Sequence, residues 1–233
     1  MKPKRILVVA AHPDDEVLGC GATMAKHSIN RDEVHVVILA EGITGRDENC
    51  SLRKRNDDLR RLKGSSTKAN SILGVKSLNF HDLPDNRMDS VDMLMIVKII
   101  EAHLKHIKPD IVYTHHFGDL NIDHRIVNSA VMVACRPQPE NHLREILFFE
   151  VSSSTGWQAP DLSQAFTPNW FEDVSSTLSI KLNALQSYKS EMRPWPHARS
   201  IKAVEHLARW RGAFVGVEAA EAFYLGRKLI GEK

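Results

Sequence analysis

Short, continuous apolar runs punctuate the first two thirds of the chain. Ile6-Leu7-Val8-Val9-Ala10 is rich in β-branched residues and lacks polar alternation, the pattern of a strand covered on both faces of a parallel sheet. Val34 to Leu39, Leu78 to Phe80, Ile111 to Thr114 and Ile146 to Phe149 repeat it, with helical stretches between most of them. The clearest helix is predicted over Val91 to Ile107, where Met93, Ile96, Ile100, Leu104 and Ile107 recur at helical spacing and Pro109 stops the run. Ile122, Ile126, Ala130 and Val133 mark a second such stripe. Strands alternating with helices imply right-handed crossovers, so the expected fold is α/β: a Rossmann-like, doubly wound, mostly parallel sheet.

Beyond Val151 the pattern changes. Ser152 to Trp170 is rich in Ser, Trp and Pro and reads as irregular loop, after which Leu178, Leu182, Leu185 and Tyr188 define one helical stripe and Ile201, Val204 and Leu207 begin another. With no internal repeat or linker, residues 1–233 read as a single domain, an α/β core over 1–150 and a loop and helical extension over 151–233.

Composition narrows the setting. At 42% hydrophobic and 26% charged residues the chain is ordinary for a globular protein, which sets aside disordered and fibrous classes. A net charge of +2 with no long basic run gives no reason to expect a nucleic-acid partner, since Arg53-Lys54-Arg55 is followed at once by Asp57 and Asp58. Cys20, Cys50 and Cys135 form no C-x-x-C pair, and three thiols cannot all pair within one chain, which points to a reducing compartment. The apolar stretch Ile6 to Ala11 is too short for a signal segment, and no run approaches a membrane span. The expected setting is a soluble, cytoplasmic one, without membrane insertion.

Candidate chemistry falls where a parallel sheet places its crevice, at the carboxyl ends of strands. Directly after the first strand comes Ala11-His12-Pro13-Asp14-Asp15-Glu16. Helix capping accounts for one or two acids in a first turn. It does not account for a His three residues before an Asp, with Pro13 stiffening the turn and a second Asp between them. His12 and Asp15 could supply two zinc ligands, and a catalytic zinc needs three protein ligands and an open position. A second polar turn, His115-His116-Phe117-Gly118-Asp119-Leu120-Asn121-Ile122-Asp123-His124-Arg125, follows another strand. His124 lies off the stripe through Ile122 and Ile126 and is free to be a third ligand, the alternative being an exposed His at a helix start. Two His/Asp-rich turns after two separate strands point to a shared site.

With these motifs the sequence resembles the LmbE-like, PIG-L-like zinc-dependent N-deacetylases. The A-H-P-D-D-E turn is unbroken from Ala11 to Glu16, and an H-x-x-D-x-N-x-D-H motif is matched by His116, Asp119, Asn121, Asp123 and His124. Pro84 to Asp89, Glu150 to Thr155 and Met192 to His197 are further landmarks of the resemblance. It implies Zn²⁺ held by His12, Asp15 and His124, with Asp14 as general base. It makes Asp123, next to a ligand, an orienting member of the catalytic set. One branch of the family carries a His two residues before that Asp; Asn121 stands there, and His197 is the candidate to fill the vacant proton-transfer role. Arg46, Asp85 and Arg87, in loops that could rim the crevice, are the candidate sugar contacts, and Trp157, Trp170 and Trp195 could face a sugar ring. The implied substrate is a small N-acetyl amino sugar or its glycoside, and the resemblance makes a homo-oligomer reasonable.

Two rivals are weighed against this. A nucleotide-binding oxidoreductase would use Gly19-Cys20-Gly21, but its fingerprint needs glycine in the turn directly after the first strand, where this chain has His12 to Asp15, and Met24 stands at the third glycine position. A non-catalytic sugar-binding protein of the same fold has no need of Asp14 and an intact ligand set.

Overall fold

A computed structural model describes residues 2–43, 52–138, 143–159 and 161–231. Arg46 and Cys50 lie outside the described residues. Seven strands form one sheet in the order β3-β2-β1-β4-β5-β7-β6. β1 (Arg5–Ala10), β2 (Glu33–Ala40), β3 (Ser77–Leu83), β4 (Ile111–His115) and β5 (Glu145–Phe149) are parallel. The continuous apolar runs of the sequence are the strands buried on both faces: Ile6 to Ala10 are all at 0–1% exposure, whereas β3, at the sheet edge, is mostly half-buried and shows only the short run Leu78 to Phe80.

Helices cover both faces. α1 (Asp15–Ile29), α2 (Leu52–Ile72), α5 (Leu178–Leu185) and α6 (Ile201–Val215) lie over one apolar layer, built around Ile6, Val8, Ile38, Tyr113 and Phe149. α3 (Met93–Ile107) and α4 (Ile122–Ala134) lie over the other, built around Leu7, Val9, Leu39, Val112 and Phe148. α3 starts two residues later than its stripe suggests, because Asp92 caps it by accepting the Leu94 N–H at 2.8 Å. α1 starts directly after the turn, at Asp15. None of the described helices is long and apolar enough to cross a membrane.

The C-terminal third differs from expectation. Its two helices are present as α5 and α6, but the same stretch also supplies β6 (Trp170–Asp173) and β7 (Ala220–Lys228), antiparallel strands that extend the main sheet beyond β5. The reason is visible in α1. At Cys20 the backbone leaves helical geometry (φ −143°, ψ 24°), freeing peptide groups in the middle of a buried helix. Glu221, buried on β7, accepts the freed N–H groups of Ala22 and Thr23, while Lys181 of α5 donates to the Leu18 carbonyl at 2.8 Å and pairs with Glu221. The break also lets α1 press on the sheet: a Cβ on Gly19 would stand 2.2 Å from the Phe149 ring. Gly19-Cys20-Gly21 therefore serves helix geometry and close packing inside α1, away from the turn where a dinucleotide fingerprint would act.

Candidate metal centre and active site

The sheet order reverses between β1 and β4, and ligands of open α/β sheets sit outside the carboxyl ends of strands at such a point. Both polar turns emerge there. The turn after β1 is pinned by the Ala11 N–H donating to His115 Nε2 of β4 at 2.8 Å, and by Asp15 Oδ2 accepting the His12 N–H at 2.9 Å. Between them Asp14 adopts φ 117°, a left-handed conformation that costs a non-glycine residue about 1–3 kcal/mol. Its N–H is held by Glu16 Oε2 at 3.0 Å, and the other oxygen of buried Glu16 accepts from Asn70 of α2 and from the Tyr188 hydroxyl. Glu16 thus ties the strained turn to two distant parts of the chain.

Three donor atoms converge. His12 Nδ1 lies 3.1 Å from Asp15 Oδ2, His124 Nε2 lies 3.1 Å from the same oxygen, and the two nitrogens are 3.3 Å apart. Ligands about 2.0–2.1 Å from a tetrahedral ion stand about 3.3 Å from one another, so this triangle has the edge length of a zinc-type site. The other nitrogen of each ring is held from behind. His12 Nε2 faces Asp123 Oδ2 at 3.0 Å and Asp85 Oδ1 at 3.1 Å; His124 Nδ1 faces Asp119 Oδ1 at 3.2 Å. Carboxylates in these positions fix the tautomers, leaving the lone pairs of His12 Nδ1 and His124 Nε2 pointing into the centre. The outer carboxylates are fixed in turn. Asp123 accepts the N–H groups of Asn86 and Met88, and Asp119 accepts the Asn121 N–H and the hydroxyls of Ser154 and Thr155.

Acids and imidazoles of the cluster act strongly on one another. Burial alone would raise the Asp15 carboxyl, but the imidazoles of His124 and His12 hold it well below the usual range. Burial would lower both imidazoles, yet Asp123, Asp15 and Asp85 hold His12 well above its ordinary value, and Asp15 and Asp119 lift His124 to about 9. The buried Asp15 Oδ1 and Asp14 Oδ1 find no hydrogen-bond partner among the described residues, as expected where a metal ion and a water belong. His12, Asp15 and His124 could hold a metal ion, and their donor set and geometry fit zinc.

Asp14 is the other half of the site. Burial pushes its carboxyl up to about 8, despite the Arg199 guanidinium that donates to its Oδ2 at 2.8 Å. Arg199 is itself braced by Ser153 Oγ and Glu191 Oε2. A carboxylate with one oxygen clamped and the other unpartnered is suited to taking a proton near neutral pH.

Several expectations need revision. Asp85 is expected on the rim as a sugar contact; it is 2% exposed and its carboxylate faces His12 Nε2 at 3.1 Å, behind that ring. Asp123, the expected orienting residue, faces the same nitrogen at 3.0 Å. Arg87 is exposed on the turn between Asn86 and Met88, whose N–H groups bind Asp123. Asn121 is committed to capping α4, with its Oδ1 accepting the Asp123 N–H at 2.8 Å. His197 is exposed and packs against Trp157, while the residue of its loop that reaches Asp14 is Arg199. Arg199, Glu16, Ser154 and the role of Asp119 were not foreseen. Glu16 and Asp119 stood inside the motifs; Arg199 followed a landmark segment, with no periodic signal to mark it. His115, which the second turn's sequence gives no role, stacks its ring on His124 at 3.8 Å between centroids, and burial holds it well below the ordinary imidazole range.

A family model described as PIG-L, GlcNAc-PI de-N-acetylase, matches residues 7–135, a span that contains both turns. The chain is 31% identical over 194 residues to the uncharacterized deacetylase YaiS of Escherichia coli, covering 81% of this chain and 92% of that protein. It is 26% identical over 201 residues to the diacetylchitobiose deacetylase of Thermococcus kodakarensis, covering 81% of this chain and 70% of that protein. In fold it is similar to the N,N′-diacetylchitobiose deacetylase of Pyrococcus horikoshii, with a TM-score of 0.77 at 20% identity over 97% of this chain and 85% of the other.

Proposed function

The chain belongs to the family described as PIG-L, GlcNAc-PI de-N-acetylase, and from that premise we propose that it is a zinc-dependent hydrolase that removes the acetyl group from an N-acetylated amino sugar. The observation that carries this reading is the triangle of His12 Nδ1, Asp15 Oδ2 and His124 Nε2, with the unpartnered Oδ1 of Asp14 in the adjacent residue of the same turn. A divalent ion held by these three residues supplies Lewis-acid chemistry, acidifying water and polarising the acyl oxygen.

The remaining work falls to the protein. Asp14 Oδ1 takes a proton from the attacking water, and Arg199 keeps the carboxylate aimed by clamping Oδ2. The raised Asp14 carboxyl retains that proton as the C–N bond weakens and passes it to the leaving nitrogen, so that amide and water become acetate and amine. Asp123, Asp85 and Asp119 keep both imidazoles in the tautomers that face the centre, and His115 packs flat on His124 to fix its plane. The sugar assignment is supported by the relatives, among them the deacetylase named for diacetylchitobiose.

The test is an amine-release assay of the zinc-loaded protein against N-acetylglucosamine, its methyl β-glycoside and N-acetylethanolamine. Release of amine and acetate in equal amounts, with preference for the sugars, is expected. No amine from any of the three, at full zinc occupancy, would overturn the hydrolase reading, and equal rates on all three would overturn the sugar assignment.

A further inference from the structure

Three tryptophans were candidates to face a sugar, and the structure separates them. Trp170 lies on strand β6, its indole N–H bound to Glu172 at 3.0 Å and its ring covered by the Lys228 ammonium at 4.2 Å. Trp195 packs against His206 and Lys202 of α6. Trp157 differs in what it is attached to. It ends the 3-10 turn Thr155–Trp157, whose Thr155 hydroxyl binds Asp119, and the preceding Ser154 lies 3.3 Å from His124 Nδ1.

Across from it stands His197, with ring centroids 5.6 Å apart and planes at 78°. His197 Nδ1 accepts the Arg199 N–H at 3.0 Å, and the Arg199 side chain clamps Asp14. The pair therefore joins the two loops that hold opposite halves of the site: one braces the ligand His124, the other the base Asp14. Both rings remain open, Trp157 being 55% exposed and His197 exposed. Because Nδ1 is already an acceptor, the neutral His197 ring carries its proton on Nε2 and offers it as a donor.

We propose that Trp157 and His197 form a carbohydrate platform at the mouth of the site, the indole face receiving the C–H face of a pyranose and His197 Nε2–H donating to a ring hydroxyl. This rests on the sugar reading above and gives it a place: the ring attached to, or following, the acetylated one. An apolar face joined to a donor of fixed tautomer matches the two-sided character of a pyranose, which pairs a C–H face with equatorial hydroxyls. The platform also gives His197 a role in recognition in place of proton delivery.

The test compares Trp157→Ala, Trp157→Phe and His197→Ala in the zinc-loaded full chain, on N,N′-diacetylchitobiose, a glycoside whose second ring would meet the platform, and on N-acetylethanolamine, with zinc content and circular dichroism measured for each. For Trp157→Ala, KM for the glycoside should rise about tenfold with less than a twofold change on N-acetylethanolamine; for His197→Ala, which also removes the acceptor of the Arg199 N–H, KM for the glycoside should rise about threefold beyond any change on N-acetylethanolamine, and Trp157→Phe should recover part of the loss. A direct calorimetric titration with the de-acetylated glycoside should show the same ranking. If the unmodified protein turns over the glycoside and both alanine variants keep its KM and affinity, the platform is overturned while the sugar reading stands. A His197→Ala loss confined to kcat on both substrates would return His197 to proton transfer and likewise overturn it. Should the unmodified protein show no preference for the glycoside over N-acetylethanolamine, the sugar reading falls, and the platform with it.

Discussion

Two clusters of charge are buried in this molecule, and they are built to opposite ends. In the break of α1, Lys181 and Glu221 face one another and every bond they make is repaid: both Glu221 oxygens accept, and the Lys181 ammonium donates to the Leu18 carbonyl and to Glu221. At the switch point of the sheet, His12, Asp14, Asp15 and His124 are as deeply buried, yet Asp14 Oδ1 and Asp15 Oδ1 have no partner among the described residues. Both clusters carry the cost of taking charge out of water. The first uses it to mend a helix, and the second leaves one oxygen of each carboxylate without a partner among the described residues. Satisfaction of the polar atoms, rather than burial or charge, is what distinguishes a structural cluster from a reactive one.

The comparison can be broken by removing one member at a time. His124→Ala should give the largest effect, loss of stoichiometric zinc by elemental analysis and a fall in turnover of at least about 10³-fold, corresponding to several kcal/mol of lost charge stabilisation. A folded variant with full zinc would refute the ligand set. Lys181→Met should act on stability instead, lowering the free energy of unfolding by about 3–5 kcal/mol in urea titrations because Glu221 is left buried without its cation. Turnover per folded molecule should be nearly preserved, and a selective loss of turnover would show that the two clusters are not separate.

Asp14→Asn should retain zinc while turnover drops by about 10²-fold or more, the scale of general acid-base catalysis. The smallest effect concerns the proton on His124. Its imidazole is lifted to about 9 by Asp15 and Asp119, so near neutral pH a metal ion bound at Nε2 must displace that proton. Zinc affinity should therefore rise by about tenfold between pH 7 and pH 8, the change expected for one displaced proton, with heat of binding that depends on the buffer's ionisation enthalpy. A pH-independent affinity would mean that the imidazole is already neutral.

What the sequence disclosed follows the same division. The inner parallel strands announce themselves because burial on both faces demands uninterrupted apolar runs, edge strand β3 shows only a short one, and the two turns announce themselves because each packs its functional side chains into a few neighbouring residues. β7 does not. Its buried face carries Glu221, which reads as a polar interruption until the break at Cys20 supplies the N–H groups it accepts. Asp85 looks like a rim residue because a loop gives no periodicity from which to infer burial, and only the fold brings it behind His12. Arg199 meets Asp14 across a separation of 185 residues, a contact that no local pattern encodes.

That separation has a consequence for how the enzyme comes into being. On the ribosome, the Ala11 to Glu16 turn is made almost at the start of synthesis and His124 midway. Tyr188 and Arg199, which hold the far ends of Glu16 and Asp14, emerge much later, as do Lys181 and Glu221, which mend the helix that follows the turn. The earliest motif of the chain is therefore braced by some of its latest residues, and the aim of Asp14 is a property of the nearly finished molecule.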